Sequence, residues 1–457
     1  MTTLDAADEA ALIQRVRDGF PRLLDDLATL IAIPSIAFPG HPAEPVEAAA
    51  ALVESLLRDA GVDDVERLLL PDTAPAIIGR LVVDEALPTV LLYCHYDVVP
   101  VGDESAWRTP PFEATEIDGA VYGRGAADSK SNLLAHLGVI RAFEGRPPVN
   151  LLIELEGQEE AGSAFDFYPT EHPEQFACDA MVIADVGNIR PGEPTLTIAL
   201  RGSAAVTVEV ETLEGPKHSG QFGGAAPDAL IALIQALATL HDANGDVAVE
   251  GLKREEWTGA GYTEDEFRGL AEVLPGVPLQ GTGTLGSRIW SGASITVTGL
   301  DAPSVDQAVN AVSAKARARL DVRVSPWQSA AEAQAAVVRH LEAVTPFGIR
   351  LTVTPGDIGD GVSVPVGGPT YRLAESALRD AYGAEPSTSA VGGSIPIVSA
   401  LARAVPTAEV LLLGTADGFS AIHAPNERVV IDEFEKTVIA EALLLARLGA
   451  AAKEDRA

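Results

Sequence analysis

Two glutamates stand side by side in GQEEAGS, residues 157–163, directly after the apolar run VNLLIELE. Neighbouring side chains project in different directions, so one carboxylate can face a bound ion while the other faces a water beside it. A general base must reach the proton that it removes and needs a pKa near the working pH. We therefore predict that Glu160 is a metal ligand and that Glu159 is the catalytic base.

A histidine and an aspartate lie two residues apart in LLYCHYDVV. On a strand, His95 and Asp97 share one face, whereas Cys94 and Tyr96 share the other. A buried imidazole and a buried carboxylate both need partners. The spacing predicts that His95 binds a metal through one ring nitrogen while Asp97 holds the other nitrogen. An edge histidine beside a solvated aspartate remains the alternative for so short a motif.

Three further candidate ligands lie at or shortly past the ends of apolar segments: Asp128 in YGRGAADSKSN, Asp185 in MVIAD and His423 in FSAIHAPNE. Alone, Asp128 also fits a helix N-cap, Asp185 a turn at the end of a strand, and the glutamate pair a solvated turn. Ligands of an open α/β sheet bind beyond the carboxyl ends of its strands. With His95 and Glu160, these residues form a nitrogen and oxygen set that suits zinc, and also manganese or cobalt. Five ligands exceed one tetrahedral catalytic zinc, so we predict two divalent metal ions per subunit.

The elements that must position these residues change character along the chain. Up to residue 198, amphipathic helical patterns alternate with short apolar runs that suit buried strands, which is an α/β layered pattern. Over 199–354 the order becomes β-α-β-β-α-β, and helix and strand resume over 355–457. We predict a catalytic α/β domain in two parts, 1–198 and 355–457, with an α+β domain inserted at 199–354.

Composition narrows the classes of partner. The 457 residues include 32 basic and 66 acidic side chains, a formal charge of −34, which disfavours nucleic acid and anionic membranes as partners. No run of eighteen apolar residues is present, and the acidic first segment, MTTLDAADEAALIQRVRDGF, lacks the features of a signal peptide. Cys94 and Cys178 predict reduced thiols and no disulfide framework. We expect a cytoplasmic protein.

Nearly the whole chain resembles one family, through HYDVVP, GRGAADSKS, EGQEEAGS, ADVG, RGSAAVTVEV, KHSGQFGG, NAVSAKARARLDVRVSP, GGSIPI and HAPNE in that order. It is similar to the di-zinc amino-hydrolases, which comprise carnosinase-type dipeptidases, aminoacylases, succinyl-diaminopimelate desuccinylases and glutamate carboxypeptidases. The resemblance implies a zinc-peptidase catalytic domain with a central mixed sheet flanked by helices. It also implies that the inserted domain is a lid that forms the interface of a homodimer.

The resemblance also implies which ligands bind each of the two metal ions. It implies that His95 and Asp185 hold one zinc, that Glu160 and His423 hold the other, and that Asp128 bridges the two ions. Asp97 would then orient His95, and Glu159 would be the general base.

Residues for the substrate also follow from the resemblance. His218 matches the lid histidine that reaches the partner's active site in dimeric members and stabilises the oxyanion. Arg323 matches the arginine that clamps the substrate carboxylate, a task suited to its planar fork, and Asn310 matches a lid position facing the substrate. Gly393 and Ser394 precede a predicted helix whose free N–H groups suit the same carboxylate. A surface histidine and a surface strand cation are the alternatives for His218 and Arg323.

The inserted domain favours one branch of the family. The segment between its first helix and SITVTGL is longer than in desuccinylases and aminoacylases, and resembles the lids of the carnosinase and cysteinylglycine dipeptidase branch. We predict hydrolysis of dipeptides or short peptides with a free C-terminal carboxylate, by a water that two metal ions and Glu159 activate. An N-acyl-amino-acid deacylase is the alternative, and a non-catalytic binding protein on this fold is a remote one.

Overall fold

The computed structural model describes residues 6–454. These residues form eleven α-helices: α1 (Ala6–Ile31), α2 (Glu44–Asp59), α3 (Ser131–Ala142), α4 (Tyr168–Glu171), α5 (Ser219–Phe222), α6 (Ala229–Ala238), α7 (Glu264–Leu270), α8 (Ala330–Ala343), α9 (Pro369–Tyr382), α10 (Pro396–Ala404) and α11 (Ile431–Glu454). None of them is both long enough and apolar enough to cross a lipid bilayer.

The same residues form twenty β-strands: β1 (Asp64–Leu68), β2 (Ala76–Leu81), β3 (Thr89–His95), β4 (Thr115–Ile117), β5 (Ala120–Tyr122), β6 (Asn150–Glu156), β7 (Ala180–Ile183), β8 (Gly187–Asn188), β9 (Thr195–Leu200), β10 (Gly202–Glu211), β11 (Lys217–His218), β12 (Ser294–Asp301), β13 (Ala311–Val312), β14 (Lys315–Val324), β15 (Thr352–Gly359), β16 (Val362–Ser363), β17 (Ser387–Val391), β18 (Glu409–Leu412), β19 (Ala416–Asp417) and β20 (Arg428–Val430). The chain divides into two compact units.

The first unit runs to Ile198, resumes over Val364–Ser389 and continues from Ile397. Its central sheet has the strand order β1-β2-β6-β3-β7-β18-β9. Strand β3 is parallel to β6 and β7, and β7 is parallel to β18, whereas β1, β2 and β9 pair with their neighbours antiparallel. This mixed sheet confirms the predicted fold class. Strand β6 is buried at every position, as expected for a strand covered on both faces.

A layer of long helices covers one face of this sheet. The buried residues of α1 recur at helical spacing, whereas α3 is buried almost all round, which is typical of a central helix. Helix α3 packs closely against α1 and α11 because residue 138 is glycine. A Cβ atom on Gly138 would lie 2.6 Å from Leu23 Cδ1 and 3.0 Å from Val438 Cγ1.

An unpartnered acid lies inside β6. Glu154 is fully buried, and neither of its carboxyl oxygens has a hydrogen-bond partner within residues 6–454. Burial, and then the nearby Glu156, raise the pKa of Glu154 well above its ordinary value of 4.5. The folded chain therefore binds this proton more tightly than the unfolded chain does, and stability falls as pH rises above 4.5.

We expect Glu154→Gln to raise the melting temperature at pH 8 relative to the unchanged protein, and to have a smaller effect near pH 5. The amide has the same shape but cannot ionise, so it removes the cost that grows with pH. Thermal unfolding across this range measures the difference. Glu116→Gln, on the exposed side of β4, is the matched control and should change little. A shift in melting temperature that is the same at both pH values would contradict this account of Glu154.

The second unit comprises Ala199–Ser363 and Ala390–Pro396. Its antiparallel sheet has the order β12-β14-β10-β15. Buried and less buried residues alternate along β10 and β14, and the buried face packs against α6 and α8. The four sheet strands and the two helices that pack on them follow in the order β10-α6-β12-β14-α8-β15, which is the predicted β-α-β-β-α-β pattern; the short elements β11, α5, α7 and β13 lie between them. The unit continues past residue 354 because its edge strand β15 runs to Gly359.

Candidate metal centre

The five predicted metal ligands meet at one edge of the first unit's sheet. His95 is the last residue of β3, Asp185 lies two residues past β7, and Glu160 follows β6. These strands are mutually parallel, so their carboxyl ends share one edge. Asp128 lies in the turn before α3, and His423 lies between β19 and β20.

Asp128 is at the centre of this group. Its Oδ1 lies 2.9 Å from Nε2 of His95, and its Oδ2 lies 3.1 Å from Nε2 of His423. Each imidazole also contacts a second carboxylate. Asp185 Oδ1 is 3.1 Å from His95 Nε2, and Glu160 Oε2 is 2.9 Å from His423 Nε2. One carboxylate thus stands between two imidazole–carboxylate pairs, the grouping expected if Asp128 bridges two ions.

These residues fit divalent metal ions. Ligand atoms of His95, Asp128 and Glu160 lie within 4.8 Å of one another, as do those of His95, Glu159 and Asp185. In addition, Oε1 of Glu160 is buried and has no hydrogen-bond partner among the residues that the structure describes. A buried acceptor without a donor is costly unless a cation satisfies it. The mixture of imidazole and carboxylate ligands suits zinc, manganese or cobalt.

Crowding of the carboxylates shifts their protonation. Burial and then Asp128 raise the pKa of Glu160 to about 7, and burial and Asp185 raise the pKa of Glu159 well above its ordinary value. Hydrogen bonds to Asp128 and Glu160 raise the pKa of His423 to about 10. The metal-free group therefore holds protons that an incoming cation must displace.

Asp97 contacts both His95 and the turn that carries Glu159 and Glu160. Its carboxylate is fully buried, and His95 Nδ1 lies 3.3 Å from Oδ1. The N–H of Glu159 donates to Oδ1 at 3.0 Å, and the N–H of Glu160 donates to Oδ2 at 3.2 Å. Asp97 therefore holds the turn that carries the two glutamates as well as the imidazole. The sequence predicted only the contact with His95.

The loop that carries His423 has an unusual backbone. His423 has a φ of 61°, in the left-handed region that residues other than glycine rarely adopt. Such a conformation persists only where the surrounding structure enforces it. The imidazole is 55% exposed, and its Nε2 is held by the carboxylates of Asp128 and Glu160.

Glu427, a residue that the sequence did not single out, anchors the end of this loop. It is fully buried. Its Oε1 accepts the N–H groups of Ala127 at 2.9 Å and Asp128 at 3.0 Å. Its Oε2 accepts the N–H of Gly125 at 3.0 Å and Nη1 of Arg124 at 2.7 Å. One carboxylate therefore ties the loop of the second imidazole to the loop of the shared aspartate. The only sequence signal is an acid at the end of HAPNE.

We expect Glu427→Gln to weaken metal binding by roughly 10- to 100-fold, the usual effect of removing a group that orients ligands. The amide NH2 cannot accept from the N–H groups that one carboxylate oxygen now serves, so the loop of Asp128 shifts. Calorimetric titration of the metal-free protein with zinc measures the change. Glu441→Gln is the control, because Glu441 is equally buried but pairs with His136. Equal losses in the two variants would show that the effect comes from general destabilisation.

The predicted substrate residues all lie in the second unit. His218 and Asn310 are exposed neighbours, since His218 pairs with Ala311 and Asn310 O accepts the N–H of Ser219. Nδ1 of His218 accepts the N–H of Gly220 at 3.1 Å, which leaves the ring proton on Nε2.

The other three substrate residues lie elsewhere in this unit. Arg323 lies on β14, where its Nε donates to Asp321 at 3.0 Å. Gly393 and Ser394 lie between β17 and α10.

Comparison with known proteins agrees with these observations. A cysteinylglycine-S-conjugate dipeptidase of Corynebacterium striatum is 39% identical over 437 residues, which cover 94% of this chain and 96% of the relative. A Beta-Ala-His dipeptidase of Rattus norvegicus is 28% identical over 411 residues, covering 83% of this chain and 82% of the relative. The solved structure of the dipeptidase Dug1p of Saccharomyces cerevisiae matches with a TM-score of 0.81 at 25% identity, covering 97% of this chain and 98% of that chain.

The greater part of the sequence matches one protein family. Residues 91–447 match the family described as "Peptidase family M20/M25/M40". This span contains all five predicted metal ligands, together with Asp97 and Glu159. The predicted family is confirmed, and the chain belongs to peptidase family M20/M25/M40.

Proposed function

We propose that this chain is a metal-dependent dipeptidase that hydrolyses the amide bond of dipeptides or short peptides with a free C-terminal carboxylate. The observation that carries the proposal is the shared carboxylate of Asp128 between two imidazole–carboxylate pairs, with Glu159 beside it. The relatives named above are dipeptidases, one for cysteinylglycine conjugates and one for Beta-Ala-His. The deacylase alternative is therefore not favoured.

Two divalent ions, with zinc as the expected metal, would polarise the substrate carbonyl and acidify a water when bound. His95 and Asp185 would hold one ion, Glu160 and His423 would hold the other, and Asp128 would contact both. Manganese or cobalt would suit the same ligands, because availability and not ligand type decides among these metals.

The chain's own residues would move the protons. Glu159 would accept a proton from the attacking water and return it to the departing amine, so the charge of the carboxylate is restored at the end of the cycle. Asp97 fixes the backbone of this base through the N–H of Glu159. The Nε2–H group of His218 would donate a hydrogen bond to the developing oxyanion in the partner subunit's site.

Residues of the second unit would bind the substrate. Arg323 would face the C-terminal carboxylate, since its planar guanidinium matches a carboxylate. The N–H groups of Gly393 and Ser394, close to the start of α10, would contribute further donors. Asn310 would contact the peptide. These roles explain why a free carboxylate would be required.

A homodimer through the inserted domain is part of the proposal. Strand β12 is an edge of its sheet and exposes Val297 and Leu300, and α6 exposes Ile231 and Ile234. An exposed edge strand with apolar side chains is suited to pairing with a second copy.

A cytoplasmic location is supported by the two cysteines, which are both free.

The test is a matched panel of free dipeptides, their N-acetylated forms and N-acyl amino acids. Metal-stripped protein is supplied again with zinc or manganese before each assay. Cleavage restricted to free-amine dipeptides, and dependent on metal, supports the proposal. Preference for N-acyl amino acids would replace it with deacylase activity, and metal binding without turnover of any member would contradict it.

A further inference from the structure

A second buried arginine stands beside the proposed carboxylate site. Arg201 lies between β9 and β10 and is 9% exposed. Its Nε donates to the carbonyl oxygen of Gly392 at 3.0 Å, and its Nη1 donates to Oγ of Ser294 at 3.1 Å. Both acceptors are neutral. The cation is therefore held firmly by hydrogen bonds that do not balance its charge.

Arg201 differs from the other buried arginine of the described residues in having no carboxylate partner. Only Arg124 and Arg201 are buried arginines in residues 6–454, and Arg124 pairs with Glu427 at 2.7 Å. No carboxylate in the same part of the chain lies within 4.0 Å of the Arg201 guanidinium. Burial, and then the nearby Arg323, lower the pKa of Arg201 to about 10, so the group stays charged at neutral pH. A buried charge without a counter-ion is costly unless a ligand supplies one.

Arg323 adds a second positive charge at the same place. Ser294 pairs across the sheet with Arg323 and accepts the hydrogen bond from Arg201, so both arginines adjoin Ser294. Asp321 accepts from Arg323 and is the one carboxylate in direct contact with this pair of arginines among residues 6–454. Two cations and one anion leave a net positive charge, which an incoming carboxylate would neutralise.

The glycine at position 392 permits this arrangement. A Cβ atom there would lie 3.0 Å from Nη2 of Arg201 and 2.9 Å from the carbonyl oxygen of Ile289. The guanidinium thus rests against the Gly392 backbone and fixes the direction of its carbonyl. Because the carbonyl and the next N–H of a trans peptide point in opposite directions, the N–H of Gly393 is also fixed.

We propose that Arg201 is a specificity-determining residue for the C-terminal carboxylate of the substrate. It supplies a second positive charge beside Arg323 and orients the peptide between Gly392 and Gly393. This inference rests on the proposed dipeptidase function. It concerns the carboxylate end of the substrate and not the chemistry at the metals.

The test compares a cleaved dipeptide with the same dipeptide as its C-terminal amide, in the metal-loaded full chain. We expect Arg201→Gln to lower kcat/KM for the free dipeptide by roughly 10- to 100-fold, since hydrogen bonds to charged groups are the stronger ones. The loss should lie mainly in KM, because it removes binding in the ground state. The amide substrate should change little, and Arg201→Lys should keep most of the preference for the carboxylate.

One control and one further variant separate carboxylate recognition from a purely structural role of Arg201. Arg319→Met removes an exposed charge from the same strand as Arg323 and should leave both substrates unaffected. Should Arg201→Gln fail to fold, Arg201→Met provides a neutral variant that keeps the apolar stem of the side chain. Equal losses on the acid and the amide would overturn the inference, because Arg201 would then be structural only. A native enzyme without preference for the acid would overturn the proposed carboxylate recognition as well.

Discussion

Glu159→Gln is expected to lower kcat by roughly 10²- to 10⁴-fold, the contribution of a positioned general base, while metal binding changes little. Glutamine has the same shape as glutamate but cannot accept and return a proton. Burial and then Asp185 raise the pKa of Glu159 well above its ordinary value, the direction expected of a carboxylate that acts as a base. The turn itself should stay in place, because Asp97 binds the backbone N–H of residue 159 and not its side chain.

This experiment decides between two roles that the geometry permits. A carboxylate oxygen of Glu159 lies within 4.8 Å of ligand atoms of His95 and Asp185, so Glu159 could itself bind an ion. Metal content after dialysis and kcat at saturating metal should be measured on the same preparations. If Glu159 is the base, the variant retains its metals and loses kcat. If Glu159 is a ligand, the variant loses metal first.

Glu160→Gln is the matched comparison, since it makes the same change at the next residue. Glu160 contacts His423 at 2.9 Å and has a buried oxygen without a hydrogen-bond donor in the described chain. We expect this variant to lose metal affinity. If the two variants behave alike, the division of labour between the neighbouring glutamates is wrong.

The sequence was sufficient to find the residues that meet at the metal centre. His95, Glu160 and Asp185 each follow an apolar run, and parallel strands bring their carboxyl ends to one edge regardless of how far apart they are along the chain. The alternation in β10 and β14 likewise predicted the sheet of the second unit. Such patterns are local, so they can be read from a short window of residues.

Contacts with distant backbone groups could not be found in this way. Glu427 contacts backbone N–H groups about three hundred residues earlier in the chain, and no periodicity encodes the direction of a backbone N–H. Arg201 resembles any strand-end cation until its burial and its neutral acceptors are known. Asp97 was predicted as the partner of His95, but its contact with the glutamate turn depends on how that turn folds. Residues that act through backbone contacts become visible only when the fold is known.

Asp128→Asn is expected to weaken the binding of both metal ions, by more than about 100-fold each. The two oxygens of Asp128 contact different imidazoles, at 2.9 Å and 3.1 Å. Asparagine keeps one acceptor oxygen and places an NH2 group where the other stood, so the change removes the negative charge and opposes one cation directly. Breaking a buried charge pair by changing one partner costs about 3 kcal/mol or more, which corresponds to a loss of about two orders of magnitude.

The stoichiometry of binding distinguishes a shared ligand from an ordinary one. Calorimetric titration with zinc, together with metal analysis after dialysis, should show two ions per chain in the unchanged protein and weakened binding of both in Asp128→Asn. His423→Ala should weaken only one ion, because His423 contacts Glu160 and one oxygen of Asp128. Asp64→Asn, at an exposed position in β1, should leave both ions in place. If Asp128→Asn and His423→Ala each remove a single ion, then Asp128 serves one metal and the two halves of the centre are held together by the fold alone.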